Sequence, residues 1–148
     1  MGRTIALATL VAGTLDILFA MILTLINGRE IPTMLRFVGS GPFPAATDMG
    51  AAGAALGLVT HFVLIAIMAA AFVLAARQWP ALVGKPILWG ILYGLATYVV
   101  MNWLVVPLRF DAPLPLRPMS IATQLFAHIG LVGIPIALIA ARQLRVAK

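Results

Sequence analysis

The sequence predicts an all-α fold, in which four membrane-spanning helices form an up-down bundle with a short interfacial helix in the first outer loop. The chain of 148 residues is 63% hydrophobic and only 9% charged, whereas soluble domains use roughly 45–50% apolar residues. The apolar residues also fall in four continuous runs of roughly 20 residues or more, the length that an α-helix needs to cross a bilayer. Lipid is therefore the better solvent for this chain.

The four runs cover residues 5–26, 50–76, 86–106 and 120–141, and they make up one transmembrane domain over residues 1–148. Strands are excluded, because the runs lack the alternation of polar and apolar residues that a membrane barrel requires. The first run exceeds a signal-peptide core of about 7–15 residues and carries Asp16 near its centre. We therefore expect it to be a retained helix.

The connections predict how the helices are joined. Residues 31–38 read IPTMLRFV, in which a proline at the first turn and apolar residues around Arg36 are typical of a short interfacial helix. The connection RQWPALVGK is short, so the second and third helices are predicted to be antiparallel neighbours. The third connection, PLRFDAPLPLRP, holds four prolines and is predicted to be stiff and extended.

The lysines and arginines predict the orientation. An even number of helices places both termini on one side of the membrane. That side carries six basic residues and the other carries four (Arg3, Arg77, Lys85, Arg142, Arg145 and Lys148 against Arg29, Arg36, Arg109 and Arg117). Since the cytoplasmic loops of membrane proteins carry an excess of lysine and arginine, we expect both termini to be cytoplasmic.

Composition and missing motifs exclude several function classes. The chain has no cysteine, which removes disulfides, thiolate metal sites and cysteine nucleophiles. The net charge of +6 arises from basic residues at the ends of apolar runs, so the predicted partner is the lipid bilayer and not nucleic acid. The sequence contains no hydrolase signature, Walker loop or dinucleotide fingerprint, and an enzyme is not favoured.

Every apolar run holds strongly polar side chains well inside it, and such residues usually face the interior of a bundle. At 1.5 Å per residue, Asp16, His61, Asn102 and His128 fall within roughly 8 Å of one another in depth. The sequence therefore predicts one buried polar layer. Tyr98 and Gln124 lie one turn before Asn102 and His128 and are included in the layer. Its members are Asp16 in the first run, His61 in the second, Tyr98 and Asn102 in the third, and Gln124 and His128 in the fourth.

Three interpretations of this layer stay open. The polar side chains can simply hydrogen-bond across helices, as in an accessory or small-ligand-binding membrane protein. An aspartate and two histidines are also the groups of a proton relay, which would fit a proton-coupled or small-solute transporter acting as an oligomer. Finally, His61 and His128 could be axial ligands of a b-type haem, or could bind a metal together with Asp16.

Two glycine pairs predict close helix packing. Gly53 and Gly57 lie in GAALG, and Gly90 and Gly94 lie in GILYG. This spacing puts two glycines on one helix face and lets backbones touch. The predicted partners are the second and third helices of the same chain. A face between copies in a homo-oligomer, or with another subunit of a larger membrane complex, is the alternative.

Several stretches carry a resemblance: AGTLDILFA, LGLVTHF, YGLATYVVMNWLVVPL and AHIGLVGIPIAL. The chain resembles a group of small, uncharacterised bacterial integral membrane proteins with four spans, over nearly its whole length. The resemblance implies the four-span fold and a location in the bacterial inner membrane. It implies no activity, so the candidate site depends on the residues alone.

Overall fold

The computed structural model describes residues 1–114 and 117–146, which form helices and connecting turns without a strand. Four of the helices are long and apolar enough to cross a bilayer: Gly2–Ile26, Gly50–Gln78, Pro86–Phe110 and Pro118–Arg145. We call them the first to fourth long helices. The predicted all-α class and the four apolar helices are confirmed. Each helix extends past its predicted run by up to four residues, because polar end residues continue the same backbone hydrogen bonding.

The third and fourth long helices each contain a widened, π-helical stretch, Val100–Val105 and Ala127–Gly133. A proline follows each stretch, Pro107 and Pro135. Proline has no N–H group, and its ring clashes with the carbonyl four residues earlier. Those carbonyls belong to Trp103 and Leu131, which lie inside the two stretches. The prolines therefore account for the position of both π-helical stretches.

Short elements join the long helices. Helix Ile31–Gly39 forms where the sequence predicts a short helix, with proline in its first turn, and the 3-10 turn Pro44–Asp48 follows it. Ala81–Gly84 is one helical turn between the second and third long helices. The third connection begins as helix up to Phe110, and its predicted extended part falls partly on residues 115 and 116, outside the described residues.

The first long helix lies between the second and the fourth, and the fourth lies between the first and the third. Small side chains such as Ala8, Ala12 and Ala69 let these helices approach around Val132 and Ile136, which are almost fully buried. Many large apolar side chains point outward instead. An apolar exterior of this kind is what a lipid solvent requires.

The second and third long helices are not the close neighbours that the sequence predicts. Their backbones stay apart, and a long side chain makes the contact. The Tyr93 hydroxyl donates to the Met68 carbonyl at 2.7 Å, and the Tyr93 ring centroid lies 5.1 Å from that of Phe72. The fourth long helix occupies the space in which a direct backbone contact was expected.

Both glycine pairs pack within the chain, but against partners other than those predicted. A side chain on Gly57 would collide with the Leu35 carbonyl, and one on Gly53 with the Ala46 carbonyl. These two glycines therefore seat the short helix Ile31–Gly39 and the 3-10 turn. Gly90 and Gly94 pack instead against the fourth long helix, around Ile134 and His128 respectively. None of the four glycines presents a free face to a second copy.

The two ends of the bundle differ. At the terminal end, where the first long helix begins and the second and fourth end, Arg77 contacts the sulfur of Met1. At the opposite end, the Phe37 and Phe110 rings stack with centroids 4.5 Å apart. Arg109 donates there to the Ser40 carbonyl at 2.7 Å. A positive group near the last carbonyls of the short helix stabilises that helix end.

Candidate functional site

The first polar pair joins the first and second long helices. His61 is buried, and its Nε2 lies 3.0 Å from the carbonyl oxygen of Gly13. Its Nδ1 lies 3.8 Å from Oδ2 of Asp16. Gly13 makes this approach possible, because a Cβ at that position would lie 2.7 Å from the Phe62 ring. Both nitrogens of the His61 imidazole thus face polar atoms of the first long helix.

The contacts of this pair indicate where its protons lie. A carbonyl oxygen only accepts hydrogen bonds, so Nε2 of His61 carries a hydrogen and donates it to Gly13. Nδ1 then faces a carboxyl group. Two unprotonated acceptors would repel each other, which favours a proton on the Asp16 carboxyl or on His61 Nδ1. Both arrangements are neutral overall, which lowers the cost of keeping the pair inside lipid.

The Asp16–His61 pair is unevenly exposed. The Asp16 side chain keeps 23% of its surface exposed, whereas His61 keeps 11%. The carboxyl group therefore has acceptor capacity that the protein does not use, and it is the part of the pair that another molecule can reach.

The second polar pair joins the third and fourth long helices. Nε2 of His128 lies 3.3 Å from Nδ2 of Asn102, and Nδ1 of His128 lies 3.2 Å from Oγ1 of Thr97. The Thr97 hydroxyl in turn donates to the Gly94 carbonyl at 2.9 Å. Asn102 also donates to the Tyr98 carbonyl at 3.3 Å. A chain of hydrogen bonds thus runs across the interface of the two helices.

The directions of these bonds fix the tautomer of His128. The Thr97 hydroxyl donates its hydrogen to the Gly94 carbonyl, so its oxygen accepts from His128 Nδ1–H. The Asn102 amide must point its NH2 group at the Tyr98 carbonyl, and its second hydrogen then goes to His128 Nε2. His128 is therefore neutral with the proton on Nδ1. Protonating Nε2 would set its N–H group against the NH2 group of Asn102, so His128 is a poor proton carrier.

The two remaining predicted residues lie beside the second pair and play smaller parts. Tyr98 is buried, its hydroxyl accepts from Trp103 Nε1 at 3.3 Å, and its ring stands edge-on to His128 with centroids 6.1 Å apart. Gln124 is half-buried, and among the described residues its side chain makes no hydrogen bond.

The four principal residues occupy similar depths. Counted from the nearer end of each long helix at the opposite end of the bundle, they lie 8 to 11 residues in, which at 1.5 Å per residue is about 12–17 Å. Within the described part of the chain, however, no hydrogen bond or ion pair joins Asp16–His61 to Asn102–His128. The structure thus places the four principal residues at similar depths but joins them in two separate pairs.

The arrangement does not fit the predicted metal or haem site. Both ring nitrogens of His61 and both of His128 already face protein partners, which leaves no free donor for an axial bond. In residues 1–114 and 117–146, no three His, Asp or Glu side chains come close enough to hold a metal ion. The ligand set of His61, His128 and Asp16 is therefore not assembled.

Sequence reasoning missed two partners. Thr97 is one hydroxyl in an apolar run, and it lies five residues before Asn102, which is not one face of a regular α-helix. The π-helical stretch that begins at Val100 changes this register, so that both residues reach His128. The Gly13 carbonyl is a backbone group that residue types do not reveal. Pro107, a proline within the third long helix, was the available signal for the altered register.

The chain matches no protein-family model, no curated protein and no solved structure. The geometry of the two polar pairs is therefore the guide to function.

Proposed function

We propose that this chain is a non-enzymatic, multi-pass protein of the bacterial inner membrane that binds a small ligand at the Asp16–His61 pair. In this proposal the four long helices form an up-down bundle, both termini are cytoplasmic, and helix Ile31–Gly39 lies at the outer interface. The four apolar helices support the membrane location. The excess of basic residues at the terminal end, six against four, supports the orientation.

A single observation carries the ligand-binding proposal, namely the different chemistry of the two polar pairs. In the Asn102–His128 pair every hydrogen has an acceptor within the protein, which is typical of a strut between helices. In the Asp16–His61 pair the facing atoms lie 3.8 Å apart, beyond hydrogen-bond distance, and the Asp16 side chain keeps 23% of its surface exposed. A partly exposed polar group at this depth is costly in lipid, and a bound hydrogen-bonding group would lower that cost.

The ligand class follows from the same geometry. The hydrogens of the neutral pair are directed at protein atoms, and the partly exposed Asp16 side chain offers acceptor lone pairs, so the pair suits an uncharged hydroxyl or amide group that donates a hydrogen bond. The surrounding surface is apolar, with Leu15 and Leu18 among the exposed side chains on the same helix. We therefore propose a small, largely apolar molecule that carries one such polar group.

Native mass spectrometry tests the site. The protein is purified from its own membranes in mild detergent, and we expect a mass above the 15.7 kDa chain from a bound molecule. Asp16→Leu should lose this mass. Asn102→Leu is the matched control, since it removes a polar side chain at similar depth, and it should retain the bound molecule. A bare wild-type chain, or equal retention by Asp16→Leu, would contradict the proposal.

Cysteine labelling tests the orientation independently, because the chain has no cysteine of its own. Gly84→Cys lies at the terminal end, where a side chain meets nothing within 4 Å, and Thr47→Cys is exposed near the opposite end. In spheroplasts, an impermeant maleimide should label Thr47→Cys and leave Gly84→Cys unlabelled until the membrane is permeabilised. The reverse pattern would place the termini outside.

A further inference from the structure

A cavity of about 390 Å³ opens at the terminal end of the bundle, away from both polar pairs. Two arginines line it, Arg77 at the end of the second long helix and Arg145 at the end of the fourth. Most of the remaining wall is apolar and includes Ala76, Val83 and Leu144. The cavity therefore combines two fixed positive charges with an apolar floor.

In residues 1–114 and 117–146, neither arginine forms an ion pair with an acidic side chain. Arg145 donates to the carbonyl of Val83 and, at 3.4 Å, to that of Gly84, while Arg77 donates to the uncharged sulfur of Met1. In the part of the chain that the structure describes, no lysine or arginine pairs with a carboxylate. The four acids lie within the first long helix or towards the opposite end, at Asp16, Glu30, Asp48 and Asp111. The described residues thus supply no counter-charge to the cavity, and an anion from another molecule can supply it.

Arginine is suited to one class of anion in particular. Its planar guanidinium presents paired donors that match the oxygens of a phosphate. Basic pockets between membrane helices are a recurrent way of holding phospholipid head groups. Two arginines at one cavity therefore favour a phosphate ligand over a monovalent inorganic anion.

The surroundings favour a phosphate that carries acyl chains over free phosphate. Leu74 lies one helical turn before Arg77, on the same face, and is 48% exposed. Trp79 follows Arg77 and is 65% exposed, and tryptophan prefers the head-group level of a membrane. An apolar strip thus leads away from the arginines along the helix, in the direction that acyl chains would take.

We propose that the Arg77–Arg145 cavity binds the phosphate of an anionic phospholipid whose acyl chains lie along the second long helix. This site is separate from the Asp16–His61 pair and does not depend on the ligand proposed there. It assigns a role to basic residues that otherwise only set the orientation of the chain.

Native mass spectrometry of the delipidated full chain tests the proposal with phosphatidylglycerol, phosphatidylcholine and inorganic phosphate as probes. We expect the wild type to bind phosphatidylglycerol at least tenfold more tightly than phosphatidylcholine, and excess inorganic phosphate not to displace the lipid. Arg77→Gln/Arg145→Gln should abolish the preference. The control Arg3→Gln/Arg142→Gln removes the same charge at the same end, outside the cavity, and should keep the preference.

Arg77→Gln alone guards against misfolding, because Arg77 donates to no backbone carbonyl and its loss leaves the Arg145 contacts in place. It should reduce the preference by itself while the thermal unfolding midpoint in detergent stays unchanged. Equal loss of preference in the control variant would overturn the proposal in favour of bulk charge. Displacement by inorganic phosphate would overturn the lipid assignment, and retention of the preference by both cavity variants would overturn the site.

Discussion

Gly94→Ala should uncouple the third and fourth long helices and break the Asn102–His128 pair, although it adds only one methyl group. The added Cβ would lie 2.5 Å from Cα of Ile129 and would collide with the His128 carbonyl. Carbon atoms pack comfortably at about 3.5–4.0 Å, so the two helices would have to separate by about 1 Å. The obstacle is backbone, which no rotamer change can move aside.

The cost follows from three contributions. Overpacking costs typically about 1–3 kcal/mol. The bonds from His128 to Asn102 and Thr97 are 3.3 and 3.2 Å long, at or just beyond the upper limit of normal hydrogen-bond length. A separation of about 1 Å would therefore break both, and each is worth about 0.6 kcal/mol in a membrane. Alanine returns about 1 kcal/mol of helix propensity, so we expect a net destabilisation of about 1–3 kcal/mol.

Reversible unfolding in mixed micelles measures this loss, and nitrogen NMR of labelled histidine follows the His128 tautomer. Gly130→Ala is the control on the facing helix, because its Cβ would meet only the Phe126 ring at an ordinary 3.5 Å. It should be neutral or slightly stabilising. If Gly94→Ala unfolds at the same point as Gly130→Ala and leaves the His128 resonances unmoved, the close packing inferred at Gly94 is wrong.

Three further predictions concern the same interface and the opposite end. Thr97→Val keeps the side-chain shape but removes the acceptor for His128 Nδ1–H, so the free energy of unfolding should fall by about 1 kcal/mol; an unchanged value would contradict the tautomer assignment. Pro107→Ala restores an N–H group, and carbon chemical shifts should then report regular α-helix over residues 100–105, whereas a persistent π-helical stretch would need another cause. Arg109→Gln removes the donor to Ser40, so amide exchange in helix Ile31–Gly39 should speed up several-fold while the unfolding midpoint changes little; unaltered exchange would show that the contact is unimportant.

Hydropathy and length predicted the fold class because lipid makes one strong demand, that every backbone polar group be satisfied within a continuous apolar helix. No other information was needed to predict the four long helices. Helix neighbours were harder to predict. The short link between the second and third long helices predicted adjacency, but Gly90 and Gly94 fit the fourth long helix more closely, and packing overrode connectivity.

The candidate site shows the same division. Rare polar residues in apolar runs identified Asp16, His61, Asn102 and His128, because such residues are costly in lipid. Their pairing could not be predicted, since it depends on which faces of neighbouring helices meet. A regular 3.6-residue period also misplaces Thr97 relative to Asn102, because the π-helical stretch before Pro107 shifts the register.

The two polar pairs divide the roles that the sequence assigned to one layer. The Asn102–His128 pair lies on π-helical stretches and satisfies its hydrogen bonds within the protein, so it fixes how the third and fourth long helices meet. The Asp16–His61 pair lies on regular helix, has no hydrogen bond between its two side chains, and leaves the Asp16 side chain partly exposed. A single relay through both histidines would need a proton to cross from His61 to His128. The His128 Nε2 lone pair is already occupied by Asn102, so the exchangeable chemistry resides in the first pair alone.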